Sequence, residues 1–117
     1  ARQLAVGAAR IAHEDNAEDI VVLNLRGVSP VTDYFVICTG TSDRQMRTVA
    51  DDVCQFAQSI GQPVWQVAGT ESAQWIVLDF VDVVVHVFDA AHREYYDIEL
   101  IWGGAPKVRW KRPGARP

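Results

Sequence analysis

Between Trp75 and Phe88 only Asp79, Asp82 and His86 interrupt a run of large apolar side chains, and this stretch constrains the fold more than any other. It is too short to cross a membrane as a helix, and its valines favour extended backbone. The short Phe80-Val81-Asp82 link divides it into two strands, Trp75 to Asp79 and Val83 to Phe88, which predicts a hairpin. Strand alternation places Trp75, Val77 and Asp79 on one face and Ile76, Leu78 and Phe80 on the other. A hairpin that is apolar on both faces needs cover on both, from its own helices or from a partner.

The flanking sequence supplies helices. Leu4, Ala5, Ala8, Ile11 and Ala12 recur at helical spacing, which predicts a helix over 2–14. Ile20 to Leu25 is a continuous apolar run that suits a strand, and Gly27, Ser29 and Pro30 break the chain before a second strand from Tyr34 to Thr39. Ser42 caps the next helix, and Gln45, three residues on, can return a bond to the cap backbone as in a capping box. Met46, Val49, Ala50, Val53, Phe56, Ala57 and Ile60 then form one stripe that ends at Gly61. A short strand is possible at Val64 to Val67, and Asp89 can cap a last helix of about 90–101. This order predicts an α/β fold of one domain, a mixed β-sheet packed with helices.

That domain is expected over residues 1–102, followed by a basic, disordered tail over 103–117 that Gly103, Gly104, Pro106, Pro113, Gly114 and Pro117 break up. The charge is divided in the same way. Residues 1–102 carry a net charge of −9, whereas Lys107, Arg109, Lys111, Arg112 and Arg116 give 103–117 a net charge of +5. The body therefore repels nucleic acid and favours a basic protein partner, while the tail can touch phosphates. Cys38 and Cys54 stand singly without metal-ligand or redox spacing, so both read as reduced core thiols. No apolar stretch is long enough for a membrane span, and the first residues lack a secretory signal's layout; a reducing compartment, the cytoplasm or an organelle matrix, is expected.

Three constellations invite a chemical reading, and each has a structural rival. Gly40-Thr41-Ser42-Asp43 sits at the mouth of a helix after a strand, where backbone N–H groups can hold an anion, as in nucleotidyltransferases. Such an enzyme also needs two carboxylates on one strand face for its metal ions, and Asp79 and Asp82 are separated by a turn. Helix capping accounts better for Ser42. Asp82, His86 and His92 suggest a metal or acid–base group on paper, but without a further clustered ligand His86 reads as a strand residue satisfied by one hydrogen bond. No metal, cofactor or catalytic group is therefore expected, with a nucleotide-binding protein of nucleotidyltransferase type as the alternative function. Third, Trp65, Trp75, Tyr95, Tyr96, Trp102 and Trp110 are many amphipathic rings for one small domain, and such rings anchor protein interfaces. On composition alone a docking face and a hairpin buried between helices stand level.

Three stretches break that tie. Thr32 to Gln45 resembles the strand-to-helix signature of the ribosomal silencing factor (Iojap) family, Trp75 to Phe88 its central hairpin, and Arg93 to Trp102 its closing helix. With the strand at Asp19 to Leu25, the resemblance spans about residues 4–102. It implies a fold similar to nucleotidyltransferases without the active site, and binding to protein fourteen of the large ribosomal subunit in a way that blocks joining of the small subunit and represses translation when nutrients are limiting. It further implies a docking surface made of Trp75, Val77, Asp79, Phe88, Tyr96, Glu99 and Trp102. The basic tail is longer than the family's usual end and is expected to reach ribosomal RNA. A homodimer through the apolar hairpin is expected when the ribosome is absent.

Overall fold

The structure, a computed structural model, describes residues 1–96 and 104–112. Helix α1 (Arg2–Glu14) is followed by strands β1 (Glu18–Asn24) and β2 (Tyr34–Thr39), helix α2 (Asp43–Ser59), strands β3 (Gln66–Ala68), β4 (Trp75–Asp79) and β5 (Val83–Phe88), and helix α3 (Ala90–Tyr96). The strands form one sheet in the order β1-β2-β5-β4-β3. Among the described strands only the β2–β5 pair is parallel, so the sheet is mixed, as the alternation of elements predicts. The expected strand at 64–67 lies at 66–68 as a short exposed edge, and the part of the last helix expected beyond residue 96 falls outside the described residues.

Both long helices cover one face of the sheet. Leu4, Ala5, Ala8 and Ala12 of α1 and Met46, Val49, Val53 and Ala57 of α2 pack on Val22, Val36, Cys38, Ile76, Leu78, Val85 and Val87. The helices are drawn together at Gly7, where an added Cβ would stand 2.3 Å from the Phe56 ring. At the start of α2 the Ser42 hydroxyl accepts from Gln45 N at 3.1 Å. Gln45 Oε1 in turn accepts from Thr41 N at 2.9 Å, one residue ahead of the expected position, because its amide also reaches back to donate to the carbonyl of Asp15.

The opposite face holds a second cluster of Leu23, Leu25, Ile37, Phe88 and Ala105, with Phe35 and Trp75 packed against it. Ala105 belongs to the segment expected to be a disordered tail, and over 104–112 that expectation is wrong. Asn24 N donates to Pro106 O and Val108 N to Val22 O, each at 2.8 Å, with Leu23 and Lys107 paired as an antiparallel bridge. Val108 is buried, and Trp110 donates from Nε1 to the carbonyl of Ile20 at 3.3 Å and meets the His13 ring at 5.4 Å. Glycine and proline break regular structure but do not prevent a strap from satisfying the open edge of β1. Residues 113–117 lie outside the described residues.

Candidate functional site

The β4–β5 hairpin turns on an unusual residue. Phe80 N donates to Val83 O at 2.9 Å and Asp82 N to Phe80 O at 3.0 Å, which forces Val81 to a φ of +75°. A β-branched residue rarely adopts that conformation, and its strain is compensated in part by the Asp79 carboxylate, which accepts from Val81 N at 2.8 Å. The turn leaves Val81 exposed on the lip of the hairpin.

Along β4 the burial alternates. Ile76 and Leu78 are fully buried beneath the helices, whereas Trp75, Val77 and Asp79 are half-buried on the other face. Cross-strand register sets Trp75 opposite Phe88, Val77 opposite His86 and Asp79 opposite Val84. The Trp75 and Phe88 rings stack with centroids 5.0 Å apart, and Phe88 is only 1% exposed, so it supports Trp75 from beneath and contributes little surface of its own. Trp75 Nε1 donates to His86 Nδ1 at 3.1 Å, and the Phe35 ring meets the imidazole edge-on at 4.7 Å. The indole is thus held by a hydrogen bond on one side and a ring stack on the other.

His86 makes the single hydrogen bond that the sequence suggests, but its Nε2 is buried and has no hydrogen-bond partner among the described residues. Accepting at Nδ1 requires the neutral imidazole with its proton on Nε2. Burial supplies the same preference, lowering its pKa from 6.5 to about 4. The other histidine of the suggested group is elsewhere engaged: His92 Nδ1 lies 2.8 Å from Asp89 Oδ1 at the start of α3. Among the described residues no three His, Cys, Asp or Glu side chains are placed to hold a metal ion. Burial pushes the Cys38 thiol up to about 12, which leaves it a core side chain with no nucleophilic character.

Beside the Trp75–His86 pair lies an apolar groove of about 600 Å³, lined by Pro30, Val31, Phe35, Trp65, Asp79, Val81, Val84 and His86. Val31 is 80% exposed, Trp65 68% and Val81 54%. Of these, sequence reasoning counted Trp65 among the rings but placed none of them with Trp75. Pro30 reads with Gly27 and Ser29 as a chain break, and only the β2–β5 pairing, which no local pattern announces, brings Phe35 beside Val84 and His86. Of the expected surface, Trp75, Val77, Asp79 and Phe88 come together on one sheet face; Glu99, Trp102 and the side chain of Tyr96 lie outside the described residues. No helix of the described residues is long and apolar enough to cross a membrane.

Residues 1–116 match the model of the family described as ribosomal silencing factor during starvation. A ribosomal silencing factor from Halalkalibacterium halodurans is 42% identical over 106 residues, covering 91% of this chain and 88% of the relative. That of Bacillus subtilis is 42% identical over 99 residues, covering 85% and 84%. A crystal structure of a protein from Chromobacterium violaceum aligns with a TM-score of 0.84 at 29% identity, covering 97% of this chain and 94% of that one.

Proposed function

The chain belongs to the ribosomal silencing factor family, and from that premise we propose that it binds protein fourteen of the large ribosomal subunit and keeps the small subunit off by occupying the space it needs. Translation is lowered in this way when nutrients are limiting, by occupancy and without catalysis. The observation that carries the reading is the fixed, half-exposed Trp75, clamped between His86 and Phe88 on the sheet face opposite α1 and α2. A large ring held in one rotamer loses little entropy on docking, which is what an interface anchor needs.

Val77 and Asp79 complete the described part of the docking surface, Phe88 supports it, and Tyr96, Glu99 and Trp102 extend it along the chain. Asp79 and Asp82 give this end an acidic character that suits a basic ribosomal protein. The basic C-terminal segment contacts ribosomal RNA, and in the absence of ribosomes the same apolar face pairs with a second copy. Work in the cytoplasm on assembled subunits fits this mode of action.

Co-sedimentation with purified large subunits tests the proposal. The unaltered protein is expected to pellet with them, and Trp75→Glu to remain in the supernatant with its fold intact by circular dichroism. Undiminished pelleting of a folded Trp75→Glu variant would remove this face from the account.

A further inference from the structure

The cations of the C-terminal strap are not equivalent. Arg112 lies 3.7 Å from Glu14, and the Lys111 ammonium stands 5.8 Å from the centre of the Trp110 ring. Lys107 and Arg109 are exposed, and their side chains make no ion pair or hydrogen bond among the described residues.

Register fixes where these two point. Lys107 stands opposite Leu23, and directly paired residues of an antiparallel ladder project to the same face. Leu23 belongs to the cluster of Ile37, Phe88, Phe35 and Trp75, on the face away from α1 and α2. Strand alternation gives Arg109 the same side, because Val108 between them is buried in the helix-side core and Trp110 packs there too. The two unpaired cations therefore share a sheet face with Trp75, Val77 and Asp79, at its opposite edge.

We propose that this edge is a second contact surface, fitted to the phosphate backbone of structured RNA, so that one sheet face makes a two-part footprint with protein at the hairpin and RNA at the strap. The inference rests on the docking reading, which turns this face towards a ribonucleoprotein. Residues two apart on a strand are about 6.6 Å apart, a distance that matches the step between successive phosphates of one strand. Arginine grips a phosphate with a two-pronged hydrogen bond, and lysine adds a point charge. Backbone bonds of Pro106 and Val108 to β1 already hold the stretch that carries these two residues, so less ordering entropy is lost than a free tail would lose. The net charge of −9 over residues 1–102 opposes phosphate elsewhere and gives the contact one orientation.

The test is a salt series of affinities for purified large subunits, comparing the intact chain with Lys107→Ala/Arg109→Ala and with Lys111→Ala/Arg112→Ala. Each phosphate contact contributes about 0.7 to 0.9 to the slope of log affinity against log salt. The first double variant is expected to flatten that slope by between about 1 and 2 and to bind isolated ribosomal protein fourteen as the intact chain does. The second, which removes the same charge from the cations already engaged by Trp110 and Glu14, is expected to keep the slope. An unchanged slope in the first variant overturns the proposal, as does an equal loss towards the isolated protein, which would make the cations a protein contact. An equal flattening in both variants overturns it too, since net charge alone would then suffice. Trp75→Glu, measured alongside, separates the two claims: if it binds normally the docking reading fails, whereas its loss together with an unchanged slope in Lys107→Ala/Arg109→Ala removes only the RNA contact.

Discussion

Strand β4 meets two environments. Ile76 and Leu78 disappear into the core beneath the helices, while Trp75, Val77 and Asp79, one residue out of phase, stand half-buried on the other face. The apolar content is similar on both sides, but the organisation differs. The helix side is filled chiefly by alanine, valine, leucine and isoleucine, together with Met46 and with Tyr34 as its bulkiest fully buried member, as close packing favours. On the other side an indole, an imidazole and two phenyl rings are tied by one directed hydrogen bond, and a carboxylate stands beside an open groove. Polar atoms among apolar rings give direction at some expense of stability, which suits the docking role proposed for this face.

Truncations on the two faces should separate stability from binding. Leu78→Ala is expected to lose about 3 kcal/mol of folding stability, within the usual range for a fully buried leucine, measured by urea denaturation. Trp75→Ala should lose about 1 kcal/mol of stability but about 2–4 kcal/mol of binding to large subunits, a loss of roughly 30-fold or more. If both substitutions act chiefly on stability, the contrast between the faces disappears.

A pH series sharpens the comparison, because His86 and Asp15, in different parts of the molecule, have pKa values displaced in opposite directions within the acidic range. On the hairpin side His86 is held neutral, its pKa lowered to about 4 by burial. Its contribution is complete above pH 6.5 and is lost as pH falls through about 4, on the order of 3 kcal/mol in all. At the C-terminus of α1, Asp15 is raised to about 6 by burial and by the neighbouring Asp52 carboxylate. Its contribution has the opposite sense: it is present below pH 3.8 and lost as pH rises through about 6. The two slopes oppose each other between about pH 4 and 6. Asp15→Asn is therefore expected to raise stability at pH 7 and to leave a steeper fall on acidification; denaturation midpoints at pH 4.5 and 7 measure both.

The smallest effect concerns the turn. Val81→Gly relieves a φ of +75° but adds freedom to the unfolded chain, so a net gain of up to about 1 kcal/mol in stability is expected. The same change removes an exposed apolar side chain from the groove, and binding is expected to weaken by a few-fold in the same co-sedimentation series. A gain in both would show that the strain serves no docking purpose.

Local periodicity carried the elements well. The helix over 2–14, the capping of α2 by Ser42 and the division of β4 into Ile76 and Leu78 against Trp75, Val77 and Asp79 all follow from spacing, and all stand. What spacing does not contain is pairing. The neighbourhood of Trp75 depends on β5 lying between β2 and β4, which brings Phe35 to His86 from residues far apart in sequence. The strap was missed for a related reason: the composition of 103–117 is that of a loose tail, but Val108 and Trp110 are two anchors, and a sheet edge in need of hydrogen bonds supplies the rest. Phe88, which the resemblance counts among the docking residues, lies on the same sheet face as Trp75, and its depth beneath that ring is a property of stacking that alternation does not reveal.

Occupancy without catalysis is most directly tested by subunit joining. Large subunits preincubated with the protein are mixed with small subunits under joining conditions, and the joined ribosomes are separated from free subunits on a sucrose gradient. Joining is expected to fall in proportion to the bound fraction and to recover fully with Trp75→Glu. Undiminished joining on large subunits that carry the protein would contradict the account.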